Sequence, residues 1–525
     1  MTAPPVVWSV AGTDSGGGAG LSADQRAADA FGVHLCPVVA TVTAQNSQAV
    51  THIQSMSPAL IDAQLQALAN DMPPRVIKTG LLCGAEQVRV VARWVDRMRE
   101  AAPVALVVDP VLTASTGAGF ADDATLQAYR DALLPRATFI TPNHREAVRL
   151  LGLSAPDRAS IEPASLPALA RALRETGAQA VCITGGDSDD VDGLVMDWVS
   201  SLNAEGWLAL PRVATANQHG TGCTFASSVA AALARGFVSA DAAVLAKMAT
   251  AQALRHARAA GQGAGPVLAH SDFAADPSLL PQMSWGEAPV FAARGSAAFR
   301  RLDLYAIVDN ADRVQQVLDA GVRTVQLRMK TPQRPEAGWQ RYLADAIQRS
   351  VTACRTAGAE LFVNDHWELA YELGASGVHL GQEDLVGLGE AGRQMLQATG
   401  MGLGISSHSL WELCRARSLS PRYVACGPVW PTTTKAMPWR DQGTHNLAWW
   451  RHMAQTPVVA IGGILQPAQV HAAAACGVDG VCVVRALGND PAQSVPTFER
   501  ALLSGRAEAS SHCFPQWPNP TLDSD

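Results

Sequence analysis

The chain has 525 residues, 48% of them hydrophobic and 17% charged, with a formal net charge of −7. That length calls for more than one domain, and the acidic balance gives no electrostatic case for binding nucleic acid or an anionic membrane. The ten cysteines include no CxxC pair, which argues against a zinc site or a disulfide framework and fits a reducing, cytoplasmic setting.

The start, MTAPPVVWSV, lacks a basic region and reads as a first strand, not a signal peptide. No apolar run approaches the ~20 residues that span a bilayer. Strand-like runs recur at 6–10, 37–43, 76–79, 105–109, 138–141 and 180–184. Alanine-rich amphipathic segments separate most of them, which is the pattern of an α/β domain with a mostly parallel sheet.

The first strand runs into AGTDSGGGAG, which invites a phosphate-cradle reading. Gly12 and Gly17 have Walker spacing, but Gly18 stands where that loop needs its lysine, and a dinucleotide fingerprint fails at Leu21. A better anion site is NQHGTGC at 217–223. There Gly220 and Gly222 free the backbone just before a strongly helical stretch, whose N-terminal end favours developing phosphoryl charge. Cys223, at that helix start, is expected to have a lowered thiol pKa and to act as a base toward a substrate hydroxyl.

Periodicity fades after about residue 260. A stretch rich in Pro, Ala, Ser and Gly at 271–300 is expected to be a linker between domains at 1–270 and 301–505. Eight strand-like runs then follow: LYAIVD, TVQLRM, ELFVND, GVHLG, GLGIS, YVACGPV, PVVAIGG and GVCVV. Eight such units in about 200 residues argue for a (β/α)8 barrel, with its site at the strand C-terminal ends. Residues 506–525 are expected to be a disordered tail.

Polar residues gather at those strand ends. Gln326, Arg328 and Lys330 alternate in QLRMK and so share a face, where two cations ask for an anion. Asp365 and Asp384, on neighbouring loops, offer oxygen ligands for one Mg²⁺ that would hold a diphosphate. Thr432, Thr434 and Lys435 in PTTTK suit a second phosphate, as do Gly462 and Gly463 after the seventh strand. His408 is expected to be structural.

Two family resemblances rest on these residues. The ordered set AGTDSGGGAGLSAD (11–24), TAQN (43–46), VDPV (108–111), TPN with Glu146, and HGTGC (219–223) resembles hydroxymethylpyrimidine/phosphomethylpyrimidine kinase, of ribokinase-like fold. The resemblance implies two ATP-dependent phosphorylations of the pyrimidine alcohol. It also implies pyrimidine contacts at Gln45, Gly12 and Asp24, Mg²⁺ and phosphate roles for Asn143 and Glu146, and a base at Cys223. Asp109 is expected to join the Mg²⁺ ligands, its oxygens suiting a hard cation. The order QLRMK, ND, GVHLGQED, GIS, GPVWPTTTK, AIGGI resembles thiamin phosphate synthase, a TIM barrel. It implies pyrimidine-diphosphate contacts at Gln326, Asn364 and Ser406, and thiazole-phosphate contacts at Thr432, Thr434, Gly463, Val484 and Arg485. It further implies Mg²⁺ on Asp365 and Asp384, with Arg328, Lys330 and Lys435 taking the leaving-group charge.

Two departures stand out: Thr184 where the kinase family often has lysine, and Arg485 where the synthase family commonly has serine. They keep alive a reading in which one half is an inactive sensor. A sugar or pyridoxal kinase fused to another phosphate-binding barrel is a second alternative, against which Gln45 and the QLRMK/GQED pair argue. The partners expected are small molecules, with a homo-oligomer left open.

Overall fold

Trp8 and Val10 are fully buried because β1 (Val6–Asp14) lies inside a sheet, with a strand on each side. The computed structural model describes residues 3–113, 120–153, 163–186, 192–292, 300–432, 438–509 and 514–523. It divides into a first unit over Met1–Pro289 and a second over Val290–Leu522.

The first unit is built on a ten-stranded sheet ordered β10-β9-β8-β7-β6-β5-β4-β1-β2-β3. Its remaining strands are β2 (His34–Gln45), β3 (Val50–Ser55), β4 (Val76–Thr79), β5 (Ala105–Val108), β6 (Phe139–Ile140), β7 (Ala180–Ile183), β8 (Leu194–Ser200), β9 (Glu205–Pro211) and β10 (Gln282–Met283). Strands β2, β1, β4, β5, β6 and β7 run parallel, and antiparallel strands extend both edges. The expected α/β domain with a mostly parallel sheet is what forms. Parallel strands end together, so Asp14, Gly80, Asp109, Asn143 and Thr184 share one rim, where open α/β sheets bind ligands.

The linker expected at 271–300 is corrected in its first part. Gln282 and Met283 pair with Ala209 and Leu208 of β9, and Phe273 is buried with its ring 4.9 Å from that of Phe31. The Pro/Ser/Gly composition conceals five buried apolar residues (Phe273, Ala274, Leu279, Leu280 and Met283) that complete the first unit's core.

In the second unit β11 (Asp303–Val308), β12 (Thr324–Leu327), β13 (Glu360–Asn364), β14 (Gly377–Leu380), β15 (Gly402–Ser407), β16 (Tyr423–Cys426), β17 (Val458–Ala460) and β18 (Gly480–Val483) close into a barrel. Every neighbouring pair is parallel, as expected of the TIM barrel. Tyr305, Phe362, Tyr423, Val459 and Cys482 belong to one buried cluster. Gly404 makes room for it, because a Cβ there would lie 2.3 Å from the Tyr423 ring.

The expected disordered tail is also corrected. The helix Pro491–Glu508 runs past 505. Thr521 is buried and its carbonyl accepts from the Arg440 N–H at 2.9 Å, while Asn446 and Asn519 exchange hydrogen bonds at 2.7 and 3.1 Å. No helix among the described residues is long and apolar enough to cross a membrane.

Candidate active sites

The glycine-rich loop after β1 wraps the chain's own carboxylate. Asp14 Oδ1 accepts the Gly16 N–H at 2.8 Å, and Oδ2 accepts those of Gly18 and Ala19 at 2.9 Å. Donors that would hold a phosphate are thus already taken, which explains why a phosphate-like loop need not bind one. His219 Nε2 reaches the same Oδ2 at 3.0 Å. Burial alone would raise the Asp14 pKa, but the His219 and backbone donors outweigh it and hold the carboxyl below its usual range. His219 Nε2 is also 3.3 Å from the Gln45 side-chain amide, so Gln45 stands half-buried at the rim beside the anion loop. Gly12 is buried against Leu81.

Gly220 precedes the helix Thr221–Ala234 with φ 88°, and a Cβ there would fall 2.2 Å from the Gly18 carbonyl oxygen. Only glycine lets the anion loop rest on the first loop. Gly222 faces open space, and first-turn N–H groups such as its own have no intrahelical acceptor.

Cys223 meets a buried ionic group that the sequence did not reveal. Lys78, fully buried on β4, places its ammonium 2.9 Å from Asp24 Oδ1 and 3.6 Å from Asp109 Oδ2. Asp24 also accepts from Ser9 and Ser227, both at 2.7 Å. Its expected role as a pyrimidine contact is therefore corrected: its exposure is 0% and its oxygens serve Lys78 and two hydroxyls. Burial would lower the Lys78 pKa, but Asp24 and Asp109 raise it above the ordinary lysine value. Burial pushes the Asp109 carboxyl up, opposed by Lys78 and by the nearby Cys223 thiol.

The thiol expectation is corrected as well. Burial pushes Cys223 up to about 12, the lowering by Lys78 being countered by the charges of Asp109 and Asp24. Local carboxylates and low dielectric outweigh the helix N-terminus.

Asn143 and Glu146 form a reciprocal cap on the helix His144–Leu150. Asn143 Oδ1 accepts the Glu146 N–H at 3.0 Å, and Glu146 Oε2 accepts the Asn143 N–H at 2.9 Å. Asp109 meanwhile answers Lys78 at 3.6 Å. Thr184 pairs with Asn143. Beyond it the Gly185 N–H donates at 2.9 Å to Asp197, itself paired at 2.8 Å with buried Lys247, so a cation stands near this turn despite the threonine.

In the barrel, Gln326, Asn364 and Ser406 lie on three strands whose ends converge on one rim. Gln326 is buried and donates to the Tyr305 hydroxyl at 3.2 Å. Asn364 Nδ2 is buried without a hydrogen-bond partner, a donor placed for a ligand. Arg328 is half-buried, and Lys330 extends to 3.7 Å from Asp365 Oδ2. Asp384 accepts the Gly381 N–H at 2.8 Å, yet burial together with the charges of Asp365 and Glu383 raises its pKa. Mutually repelling carboxylates with hard oxygen donors fit a divalent cation whose coordination is completed by a diphosphate. No group of three side-chain ligands occurs among the described residues.

Gly462 and Gly463 take φ of 90° and 70°, and a Cβ on Gly463 would lie 2.4 Å from the Trp430 carbonyl oxygen. Val484 and Arg485 are exposed where the short helix Arg485–Leu487 begins. Thr432 is half-buried, whereas Thr434 and Lys435 lie outside the described residues. His408 is structural, bonded at 2.9 Å to Glu412 and stacked on Trp439.

Family comparisons follow the same division. The model for phosphomethylpyrimidine kinase matches residues 14–268, and that for thiamine monophosphate synthase matches 304–487. A probable thiamine biosynthetic bifunctional enzyme, chloroplastic, of Oryza sativa subsp. japonica is 32% identical over 508 residues, covering 93% of this chain and 86% of that one. The hydroxymethylpyrimidine/phosphomethylpyrimidine kinase of Synechococcus elongatus is 40% identical over 267 residues, 50% of this chain and 97% of its own. The thiamine-phosphate synthase of Neisseria meningitidis is 44% identical over 207 residues, 39% of this chain and 96% of its own.

Proposed function

This chain belongs to the bifunctional thiamine biosynthetic enzymes, and we propose that its two rims carry consecutive steps with the residue roles that follow. The first unit is a hydroxymethylpyrimidine/phosphomethylpyrimidine kinase using ATP, and the second is a thiamin phosphate synthase. The observation that carries the division of labour is that two separate constellations, Cys223 with Lys78 and Asp109, and Asp384 with Asp365 and Lys330, sit on different units.

In the kinase, Gln45 pairs with the aminopyrimidine edge, and the backbone at Gly220–Gly222 stabilises the transferring phosphoryl group. As the substrate oxygen bonds phosphorus and ADP leaves, the hydroxyl proton passes to the Cys223 sulfur and the thiol proton to Asp109. The relay follows from the setting of the thiol beside the Asp109 and Asp24 carboxylates, which disfavours a resting thiolate. Lys78 keeps Asp109 charged enough to receive the proton.

In the synthase, Gln326 and Asn364 hold the pyrimidine, and Ser406 with Arg328, Lys330 and Lys435 holds its diphosphate. The methylene–oxygen bond breaks, the electron pair leaves with pyrophosphate, and the amino-substituted ring stabilises the cation. The thiazole nitrogen then bonds that carbon, its phosphate held by Thr432, Thr434, Gly463 and the 484–485 turn. When bound at Asp365 and Asp384, Mg²⁺ neutralises part of the diphosphate charge.

Single variants of the full chain test this. Cys223→Ala is expected to lower phosphorylation ~10²- to 10⁴-fold and spare coupling of preformed pyrimidine diphosphate. Asp384→Ala is expected to do the reverse. If either folded variant loses both activities, the two-site assignment is wrong.

A further inference from the structure

Beneath the synthase rim, five side chains from five strands form one hydrogen-bonded chain across the barrel. Gln326 Nε2 lies 3.2 Å from the Tyr305 hydroxyl, which is 2.7 Å from the Tyr423 hydroxyl. Tyr423 lies 2.8 Å from His379 Nδ1, and His379 Nε2 lies 2.8 Å from Ser406 Oγ. We propose that His379, Tyr423 and Tyr305 are positioning residues that lock the orientation of the Gln326 amide, so that the synthase accepts an amino-pyrimidine and rejects its oxo counterpart. The proposal rests on the reading that Gln326 and Ser406 both face the pyrimidine diphosphate.

Proton counting carries the inference. Gln326 donates to Tyr305, whose one proton goes to Tyr423, whose one proton goes to His379 Nδ1. A neutral imidazole then has its proton on Nε2 and donates to Ser406, leaving the Ser406 proton for an acceptor such as a diphosphate oxygen. Reversing any link reverses them all and ends with the Gln326 amide turned over.

The amide's free edge then offers one acceptor and one donor in a fixed order. A 4-aminopyrimidine presents an amino donor beside a ring-nitrogen acceptor, and a 4-oxopyrimidine presents the opposite pair. The two require opposite amide orientations, so the chain converts a proton order into substrate selection.

The test uses coupling of preformed amino-pyrimidine diphosphate with thiazole phosphate, with the 4-oxo diphosphate as competitive inhibitor; only the barrel contributes to this readout. In the unmodified chain the inhibitor Ki is expected to exceed the substrate KM by ~10-fold or more. Tyr305→Phe, nearly isosteric, frees the amide and is expected to bring that ratio within ~3-fold. His379→Leu should do the same from two residues farther along, and His379→Asn, which keeps an acceptor for Tyr423, should restore the preference. A Tyr305→Phe protein that retains the full ratio overturns the proposal, as does a His379→Asn protein no more selective than His379→Leu. An unmodified chain that makes no thiamin phosphate from preformed diphosphate would instead overturn the synthase reading beneath it.

Discussion

Lys78→Met removes the only cation within 4 Å of two buried carboxylates, among the ion pairs described, and keeps a similar side-chain length. Asp24 retains the Ser9 and Ser227 hydroxyls, but Asp109 Oδ2 has no hydrogen bond to fall back on. Breaking a buried pair by deleting one partner costs about 3–5 kcal/mol, because the other charge stays behind. At about 2–4 °C per kcal/mol for a unit of this size, the first thermal transition should fall by about 6–20 °C. The sign of the pH effect follows from linkage. Burial already raises the Asp109 pKa against the opposing charge of Lys78, and without the ammonium it rises further above its unfolded value. The deficit should therefore shrink as the pH is lowered toward the carboxylate range. Calorimetry of the full chain at several pH values, alongside Lys78→Met/Asp109→Asn, measures this. The double variant should recover much of the stability but not phosphorylation. A single variant melting within about 2 °C of the unmodified chain at neutral pH would refute the ionic account.

Asp14→Asn should raise the KM for the pyrimidine alcohol ~10-fold while sparing coupling, because a carboxamide cannot accept from three backbone N–H groups and His219 together; separate assays of the two steps check this. His379, with its pKa lowered from 6.5 to about 4, stays neutral in the fold while the unfolded chain takes up a proton. Its contribution is complete above pH 6.5 and falls by about 3 kcal/mol on acidification to pH 4, a slope that urea unfolding of the barrel should show and His379→Asn should lack.

The two α/β architectures were legible because parallel strands buried on both faces read as short apolar runs at regular spacing. Strands β8 and β9 were passed over since Asp197 and Gly206 interrupt their apolar character. The ionic group was hidden for a related reason. A lysine in VIKT has no partner nearby in sequence, since Asp24 is 54 positions away. Asp24 was misplaced because its motif adjoins the pocket loop, while helix geometry turns its side chain into the core. Cys223 shows where a local rule fails: the helix start was visible, but the carboxylates surrounding the thiol came from distant strands. In the barrel, QLRMK, ND and GQED were readable because each lies at one strand end. Tyr305, His379 and Tyr423 read as ordinary core residues until barrel closure brought their polar atoms together.

The central claim is that one chain carries a pyrimidine alcohol through to thiamin phosphate. The most direct measurement supplies purified full-length protein with hydroxymethylpyrimidine, thiazole phosphate, Mg²⁺ and ATP, and follows ADP, pyrophosphate and thiamin phosphate together. The account predicts thiamin phosphate with one pyrophosphate and an ADP for each phosphorylation, and none when ATP is omitted unless preformed pyrimidine diphosphate is added. No thiamin phosphate from the preformed diphosphate, or no ADP released with the alcohol, would contradict it.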